Sequence, residues 1–353
     1  MSRKITFIIV IGLISLGVFW IIGSAKRKNI SYDSTDELAL ANNSLINRFN
    51  QIEEKYSPPF GPIKLSNDEG YFLKLLPNGK EIYYYLPSSG QIKSVSISNL
   101  TSKDTLVSLI IAQIKPKFKK IIWAKDAKKI IASNDTEMIY YDLNSSFSKK
   151  LDSKTNDPVF LTEDKIVYLY FDDTTGEGEI RITNTGFENS KSIFKTRLRW
   201  DLGLINSRSL ALSNGNSFFI LDVETGNFSK ILENKKDLSI NPSPNGNGFA
   251  YSYLDEFGDI KLNYYVLQSK SGVSLENMSS QASACDWSAD SLNIYCLENN
   301  NLKVININSG LAQNIKNGIL EVNVQNMILA NFEDYLIFKN SRDQKLYSVY
   351  LGK

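Results

Sequence analysis

The sequence predicts an all-β fold, a β-propeller of about seven four-stranded blades over residues 63–353, preceded by an N-terminal transmembrane helix (1–28) and a short helical stalk with a Pro-rich linker (29–62). Three observations carry this expectation. Trp123, Asp126, Ile130, Met138 and Tyr140 recur at the same offsets as Trp287, Asp290, Ile294, Leu302 and Val304, 164 residues later, which is four units of 41. An internal repeat near that length marks a propeller or a helical solenoid. From Ile63 onward the apolar residues follow strand patterns, and the period-3.6 stripes a helical solenoid needs are absent after residue 55. Between the strands, Pro, Asn, Asp and Gly cluster in tight-turn combinations.

Taken in order, residues 5–25 form an uncharged run of 21 residues, long enough as a helix to cross a hydrocarbon core about 30 Å thick. Arg3 and Lys4 precede it, and Lys26, Arg27 and Lys28 come after it. The rival reading is a cleaved signal peptide, for which Gly23-Ser-Ala25 offers small residues. The run exceeds the roughly 7–15 residues of a signal h-region, and Trp20 with the basic cluster suits an interfacial anchor, so an uncleaved anchor is favoured. The flanking charges nearly balance. The expected arrangement is N-in and C-out, a single pass through the cytoplasmic (inner) membrane with the remainder outside the cytosol.

Ser34-Thr-Asp-Glu37 has the chemistry of a capping box, and Leu38, Leu45, Ile46, Phe49 and Ile52 then keep helical spacing to about Lys55. Pro58-Pro-Phe-Gly-Pro62 stops the helix and gives a stiff, extended entry into the β-rich domain. One amphipathic stretch of this length is a spacer, too short for a self-associating coiled coil.

The β-rich domain divides into seven units, at 76–97, 123–143, 159–184, 198–226, 242–267, 285–310 and 322–351; six and eight are the neighbouring counts. Each reads as an apolar strand, a tight turn, an alternating strand, a polar turn and a third strand, with a weaker fourth running up to the next unit. In Leu76-Pro-Asn-Gly79, Pro242-Ser-Pro-Asn-Gly246 and Ser288-Ala-Asp-Ser291, proline sets φ at the first corner where it is present. Asn or Asp tolerates the next corner, and Gly accepts positive φ. Ile82-Tyr-Tyr-Tyr-Leu86 and Ser217-Phe-Phe-Ile-Leu221 are apolar on both faces, as strands between two neighbouring blades must be. A ring of this kind closes by joining its first and last blades, and Lys345–Leu351 runs nearly to the C-terminus, so it is expected to take part in the closure.

The segments at 76–84, 123–132, 242–251 and 287–296 resemble the WD40-like Pro-Asp repeat of TolB-type propellers, a Trp-Ser-Pro-Asp-Gly-x-x-Ile-x-Tyr unit. The copies depart from it: Trp287-Ser-Ala-Asp-Ser lacks Pro and Gly, and Trp123-Ala-Lys-Asp-Ala keeps only Trp and Asp. The third, fourth and seventh units carry no convincing copy. The resemblance implies the propeller architecture and envelope protein–protein contacts. It extends to the repeat and to no binding motif. Trp123, Asp126, Asn245, Gly246, Trp287 and Asp290 are read as structural residues of that repeat.

Composition excludes whole classes of chemistry. The chain has no histidine, which removes Ser-His-Asp and Cys-His catalysis and every His-ligated metal site. Five of its 40 cations flank the apolar run, leaving 35 against 38 acids, so the remainder has no bulk electrostatic reason to hold nucleic acid. Cys285 and Cys296 bracket Trp287 within one unit. With Ser288–Ser291 as the turn, residues 285 and 294 come opposite and Cys296 lies one pair further on, near reach of a cross-strand disulfide; two buried free thiols are the alternative.

Asp172-Asp-Thr-Thr-Gly-Glu-Gly-Glu179 gathers four acids, but its spacing matches no EF-hand. Asp255-Glu-Phe-Gly-Asp259 in the equivalent place favours hairpin loops for both. Trp123, Trp200 and Trp287 read as wedges between blades rather than a stacking surface. Asp126, Asp201, Asp286 and Asp290 belong to the turn grammar, and no phosphate loop is present. The expected function is a non-catalytic, membrane-anchored scaffold of the bacterial cell envelope, binding a protein or an envelope polymer through one propeller face, without cofactor, metal or nucleic acid. The alternative is an envelope carbohydrate-active hydrolase or lyase using carboxylates in the propeller mouth.

Overall fold

The computed structural model describes residues 61–97, 100, 107–275, 278–299, 301–319, 324–330 and 333–351, all within the compact unit Pro58–Lys353. They form seven four-stranded antiparallel sheets. The first blade is β2 (Tyr71–Leu75), β3 (Glu81–Leu86), β4 (Gln91–Ser96) and β5 (Ser108–Gln113). The second is β6 (Lys120–Trp123), β7 (Lys129–Ser133), β8 (Met138–Asp142) and β9 (Phe147–Lys150). The third is β10 (Thr155–Phe160), β11 (Lys165–Asp172), β12 (Glu177–Asn184) and β13 (Lys191–Thr196). The fourth is β14 (Asp201–Leu204), β15 (Ser209–Ser213), β16 (Phe218–Asp222) and β17 (Phe228–Leu232). The fifth is β18 (Lys236–Pro242), β19 (Gly248–Leu254), β20 (Ile260–Val266) and β21 (Ser271–Ser274). The sixth is β22 (Cys285–Trp287), β23 (Asn293–Glu298), β24 (Asn301–Asn306) and β25 (Ala312–Ile319). The seventh is composite: β26 (Val324–Leu329), β27 (Tyr335–Asn340) and β28 (Lys345–Tyr350) come from the C-terminal end, and β1 (Ile63–Glu69) pairs outside β28.

The seven expected units are therefore seven blades, and the 164-residue interval between the two Trp…Asp lines separates the second blade from the sixth. The apolar run at 5–25 and the helical stretch at 34–55 lie outside the described residues. Among the described residues, no helix is long and apolar enough to cross a membrane.

First strands of successive blades touch, β2 with β6 and β26, β6 with β10, β10 with β14, and β22 with β26, so the first strand of each blade lines the central channel. Seven apolar clusters lie one at each blade interface. Strand β3 shows why its sequence is apolar on both faces. Ile82, Tyr84 and Leu86 pack with Leu65, Ile337 and Leu346 of the seventh blade, whereas Tyr85 packs with Phe118, Ile121 and Ile130 of the second. Burying side chains of this size contributes about 1.5–3 kcal/mol each. Both tyrosine hydroxyls remain satisfied: Tyr84 donates to Ser108 Oγ (2.8 Å), and Tyr85 donates to the Lys115 carbonyl (3.0 Å) while accepting from Phe118 N (3.2 Å).

The turn between first and second strands keeps one geometry where the sequence motif is present. Gly79 N, Ala127 N, Gly246 N and Ser291 N donate to the carbonyls of Leu76, Ala124, Ser243 and Ser288. Each of those four residues has a left-handed φ, between 59° and 68°. The preceding Asn78, Asp126, Asn245 and Asp290 each accept, on Oδ1, the N–H two residues on. Ala127 and Ser291 thus occupy the glycine corner of the motif. In the seventh blade, without the motif, Glu333 at φ 58° likewise donates its N–H to the Ala330 carbonyl. The third and fourth blades turn differently, through Leu161 N to Lys165 O and Ile205 N to Ser209 O.

Register across β22 and β23 differs from the sequence expectation. Trp287, not Cys285, stands opposite Ile294, and Cys285 stands directly opposite Cys296 with Cα atoms 4.1 Å apart. Ser288 joins the ladder opposite Asn293 and Leu292 enters the turn, so the turn lies one residue further along and the pairing moves by two. An even shift keeps both thiols on one face. The two sulfurs are bonded. Replacing both cysteines by serine is expected to lower unfolding free energy by about 3 kcal/mol, read by urea titration under non-reducing conditions.

Candidate functional site at the two ends of the channel

Each first strand runs from one end of the channel to the other, so its two termini supply two separate surfaces. At the end where first strands turn into second strands lies a cavity of about 740 Å³, within the usual range for ligand sites. Turns of the second to fifth blades rim it, with Lys125, Glu163, Ser207 and Asn245 at the edge and Leu161, Leu204 and Pro242 among the apolar lining. Hydrogen bonds tie neighbouring turns together. Asn206 Nδ2 donates to the Gly246 carbonyl (3.4 Å), and Asn245 N donates to Ser291 Oγ (3.1 Å). The rim is therefore a preformed surface of amides, hydroxyls and apolar faces. Charged groups stand on it too, Lys125, Glu163 and Asp164; Asp164 is bound to Lys129 (2.8 Å), which holds it below the ordinary aspartate range through a hydrogen bond first and charge second. It stays ionised and is unsuited to donate a proton.

The opposite end is charged. Lys120, Asp157 and Asp201 start, or lie near the start of, β6, β10 and β14, and Lys120 pairs with Asp157 at 3.1 Å. Asp201 is exposed, yet desolvation first and the negative charge of Asp157 second raise its carboxyl above the usual range, and Lys120 opposes that shift. Asp157 sits in a bulge of β10 between Asn156 and Val159, at φ 40°. Bulges with a left-handed residue recur in β2 at Phe72, in β18 at Asp237 and in β26 at Asn326. Such bulges re-aim a side chain, and three of these four are the Asp and Asn types that tolerate the conformation.

The residues singled out in sequence are mostly framework. Trp123 Nε1 donates to the Phe72 carbonyl (2.7 Å) and Trp287 Nε1 to the Asn241 carbonyl (3.3 Å), each reaching the first strand of the preceding blade. Trp200 is buried against Phe219 and Phe228 and donates to Thr196 Oγ1 (2.9 Å). Asp126, Gly246 and Asp290 hold turns, and of the six repeat residues Asn245 alone lines the cavity. The acids of Asp172–Glu179 are engaged by cations: Asp172 with Lys154, Asp173 with Arg199, Glu177 with Arg197 and Glu179 with Arg181. Among the described residues, no group of three or more Cys, Asp or Glu is placed to hold a metal ion.

Asp286 does more than its sequence position suggests. It projects from β22 toward the seventh blade and accepts from Leu329 N (2.7 Å) and from Trp287 N (2.9 Å). Burial nevertheless pushes its carboxyl up to about 6. The folded protein therefore holds a proton that the unfolded chain releases near pH 4, and stability is lost as pH rises from about 4 to 6. The expected span is up to about 3 kcal/mol. Urea titrations of Asp286→Asn at pH 4 and pH 7 are expected to show a smaller fall than the wild type across that window.

No family model and no curated protein sequence matches the chain. Solved structures do resemble it. An oligogalacturonate lyase in complex with manganese is 11% identical, with a TM-score of 0.58 over 84% of this chain and 96% of the other. Oligogalacturonate lyase from Vibrio parahaemolyticus is 11% identical, with a TM-score of 0.57 over 84% of this chain and 92% of its own. A chain of the Mitotic Checkpoint Complex is 12% identical, with a TM-score of 0.56 over 85% of this chain and 96% of its own. Likeness at such identity is likeness of fold, and the fold is a seven-bladed β-propeller of four-stranded blades.

Proposed function

We propose that this chain is a non-catalytic scaffold of the cell envelope, anchored in the cytoplasmic membrane through residues 5–25 and presenting the propeller, residues 63–353, outside the cytosol. It binds a protein or an envelope polymer across the turn-side mouth. The observation that carries this reading is the cavity of about 740 Å³ whose rim is drawn from four successive blades and mixes amide, hydroxyl and apolar groups with the charges of Lys125, Glu163 and Asp164. Such a rim, spread over four blades, suits a chain-like ligand with both polar and apolar faces. The resemblance of the Trp…Asp lines to the TolB-type repeat supports envelope protein contacts, and a cross-strand disulfide suits an oxidising compartment.

Crosslinking and pull-down of the full membrane-anchored chain is the test. The double variant Glu163→Arg, Ser207→Arg, at exposed rim positions, is expected to reduce partner recovery at least tenfold without changing thermal unfolding. Failure to recover any partner, with the purified chain cleaving an envelope glycan, would sink the reading. Protease accessibility in intact cells against spheroplasts tests the topology.

A second reading has one observation behind it, the Asp157–Asp201 pair at the opposite end, where one carboxyl is raised beside another. That is the arrangement an envelope carbohydrate hydrolase or lyase needs for an acid and a base. Two of the similar structures are oligogalacturonate lyases, a likeness that extends to the fold. Glycan turnover abolished by Asp201→Asn, with binding at the turn-side rim dispensable, would favour this alternative.

A further inference from the structure

Among the described residues, every blade ends in an outer strand with no further strand paired to its edge, which invites pairing with another chain, and one protection is lysine on that edge. Lysine is present in the sequences of β1 (Lys64), β9 (Lys149, Lys150), β13 (Lys191, Lys195), β17 (Lys230) and β25 (Lys316). Strand β21 has none, but it is four residues long, contains a glycine and comes directly after Lys270. Strand β5 is the exception. No charge occurs from Val107 through Ile114, and Val107, Leu109, Ile110 and Ile111 are 73%, 60%, 60% and 39% exposed. The bulge at Ile111 is not a substitute for lysine, because the lysine-bearing outer strands of the third, fourth and sixth blades carry a bulge as well.

A lipid surface does not fit this patch, since an open strand edge cannot enter hydrocarbon with its backbone unpaired. A second copy does. We propose that β5 is a dimerisation edge, at which two copies of this chain pair their β5 strands antiparallel about a two-fold axis near Ile110. About that axis Ile110 meets itself, with the bulge at Ile111 beside it. No like charges oppose one another, whereas self-pairing of a lysine-bearing strand sets equal charges against each other. The four apolar side chains make a patch of a few hundred Å². Two such patches and the paired backbones approach the roughly 1,200 Å² at which specific interfaces begin. The interface is separate from the turn-side mouth and leaves it open.

Single cysteines at 109, 110 and 111 in the full chain, oxidised in native membranes, test the pairing. Directly opposed residues of an antiparallel pair lie about 4.5–5.5 Å apart at Cα. That is within disulfide reach. Ile110→Cys is expected to give a homodimer on non-reducing gels. Ile110→Lys and Leu109→Lys are expected to weaken self-association at least tenfold in sedimentation velocity, with thermal unfolding unchanged. A monomeric wild type without intermolecular crosslinks at any of the three positions overturns the proposal. So does capture of a different protein, or of another part of the same chain, by the cysteine at 110.

Discussion

Truncation after Gln344 is expected to abolish cooperative folding of the propeller. Strand β28 lies between β27 and β1, so removing residues 345–353 leaves β1 without its only sheet neighbour among the described residues and exposes the edge of β27. Two interfaces open together. Leu346 packs with Leu65, Ile82 and Tyr84 toward the first blade, and Val349 and Leu351 pack with Tyr295 and Leu302 toward the sixth. Each lost side chain costs about 2–5 kcal/mol, comparable in sum to the whole stability of a domain. Backbone groups are orphaned as well, since the Asp334 carbonyl loses the Leu351 N–H that it accepts at 2.8 Å. Far-UV circular dichroism during heating is expected to lose its sharp transition. A soluble fragment of residues 63–344 that melts like the full propeller contradicts the closure.

The second large effect is expected at Gly90, in the turn from β3 to β4. Its φ is +77°, and a Cβ there would lie 2.2 Å from the Ile114 carbonyl oxygen and 3.0 Å from the Lys115 carbonyl carbon. Both are backbone atoms, and neither can swing aside. Gly90 N donates to the Leu86 carbonyl (2.8 Å) and its own carbonyl accepts from Ile114 N (2.9 Å), so a shift disturbs the passage from the first blade to the second. Ile114 belongs to the cluster that joins those blades. Gly90→Ala is expected to cost about 3 kcal/mol or more, of which the left-handed backbone accounts for about 1–2. Gly176→Ala isolates the conformational part, because Gly176 has a φ of +68° with nothing within 4 Å of the added carbon. Urea titration of the two variants separates the terms.

Blade number and strand order were legible because each blade solves the same local problem. A corner that needs positive φ selects Gly, Asn or Asp, and strands packed between two neighbours read as apolar on both faces. The seventh turn was hidden because Glu333 reaches the same φ through its hydrogen bond to Ala330, without glycine to announce it. The third and fourth turns were hidden because they close on Lys165 and Ser209 by a different pattern. Turn position also governed the cysteine register, and a turn moved by one residue, with Ser288 in the ladder and Leu292 in the turn, carried the error to Cys285 and Cys296.

The channel ends were less legible for a physical reason. A ring assembles each end from single residues of several blades, so Lys120, Asp157 and Asp201 lie far apart in sequence and share no motif. The one local signal is conformational. Aspartate at a left-handed bulge, as at Asp157, marks a side chain turned from its regular direction. On the turn side, Glu163 and Ser207 sit in the two blades whose turns depart from the repeat, where pattern matching has nothing to match.

Binding at the turn-side mouth is tested most directly by a photo-crosslinking side chain placed at Ser207 of the full chain in intact cells. An adduct to a protein or an envelope polymer, lost when Glu163 is changed to Arg, is the predicted result. Absence of any adduct from that rim, together with envelope-glycan cleavage by the purified chain that Asp201→Asn abolishes, would contradict it.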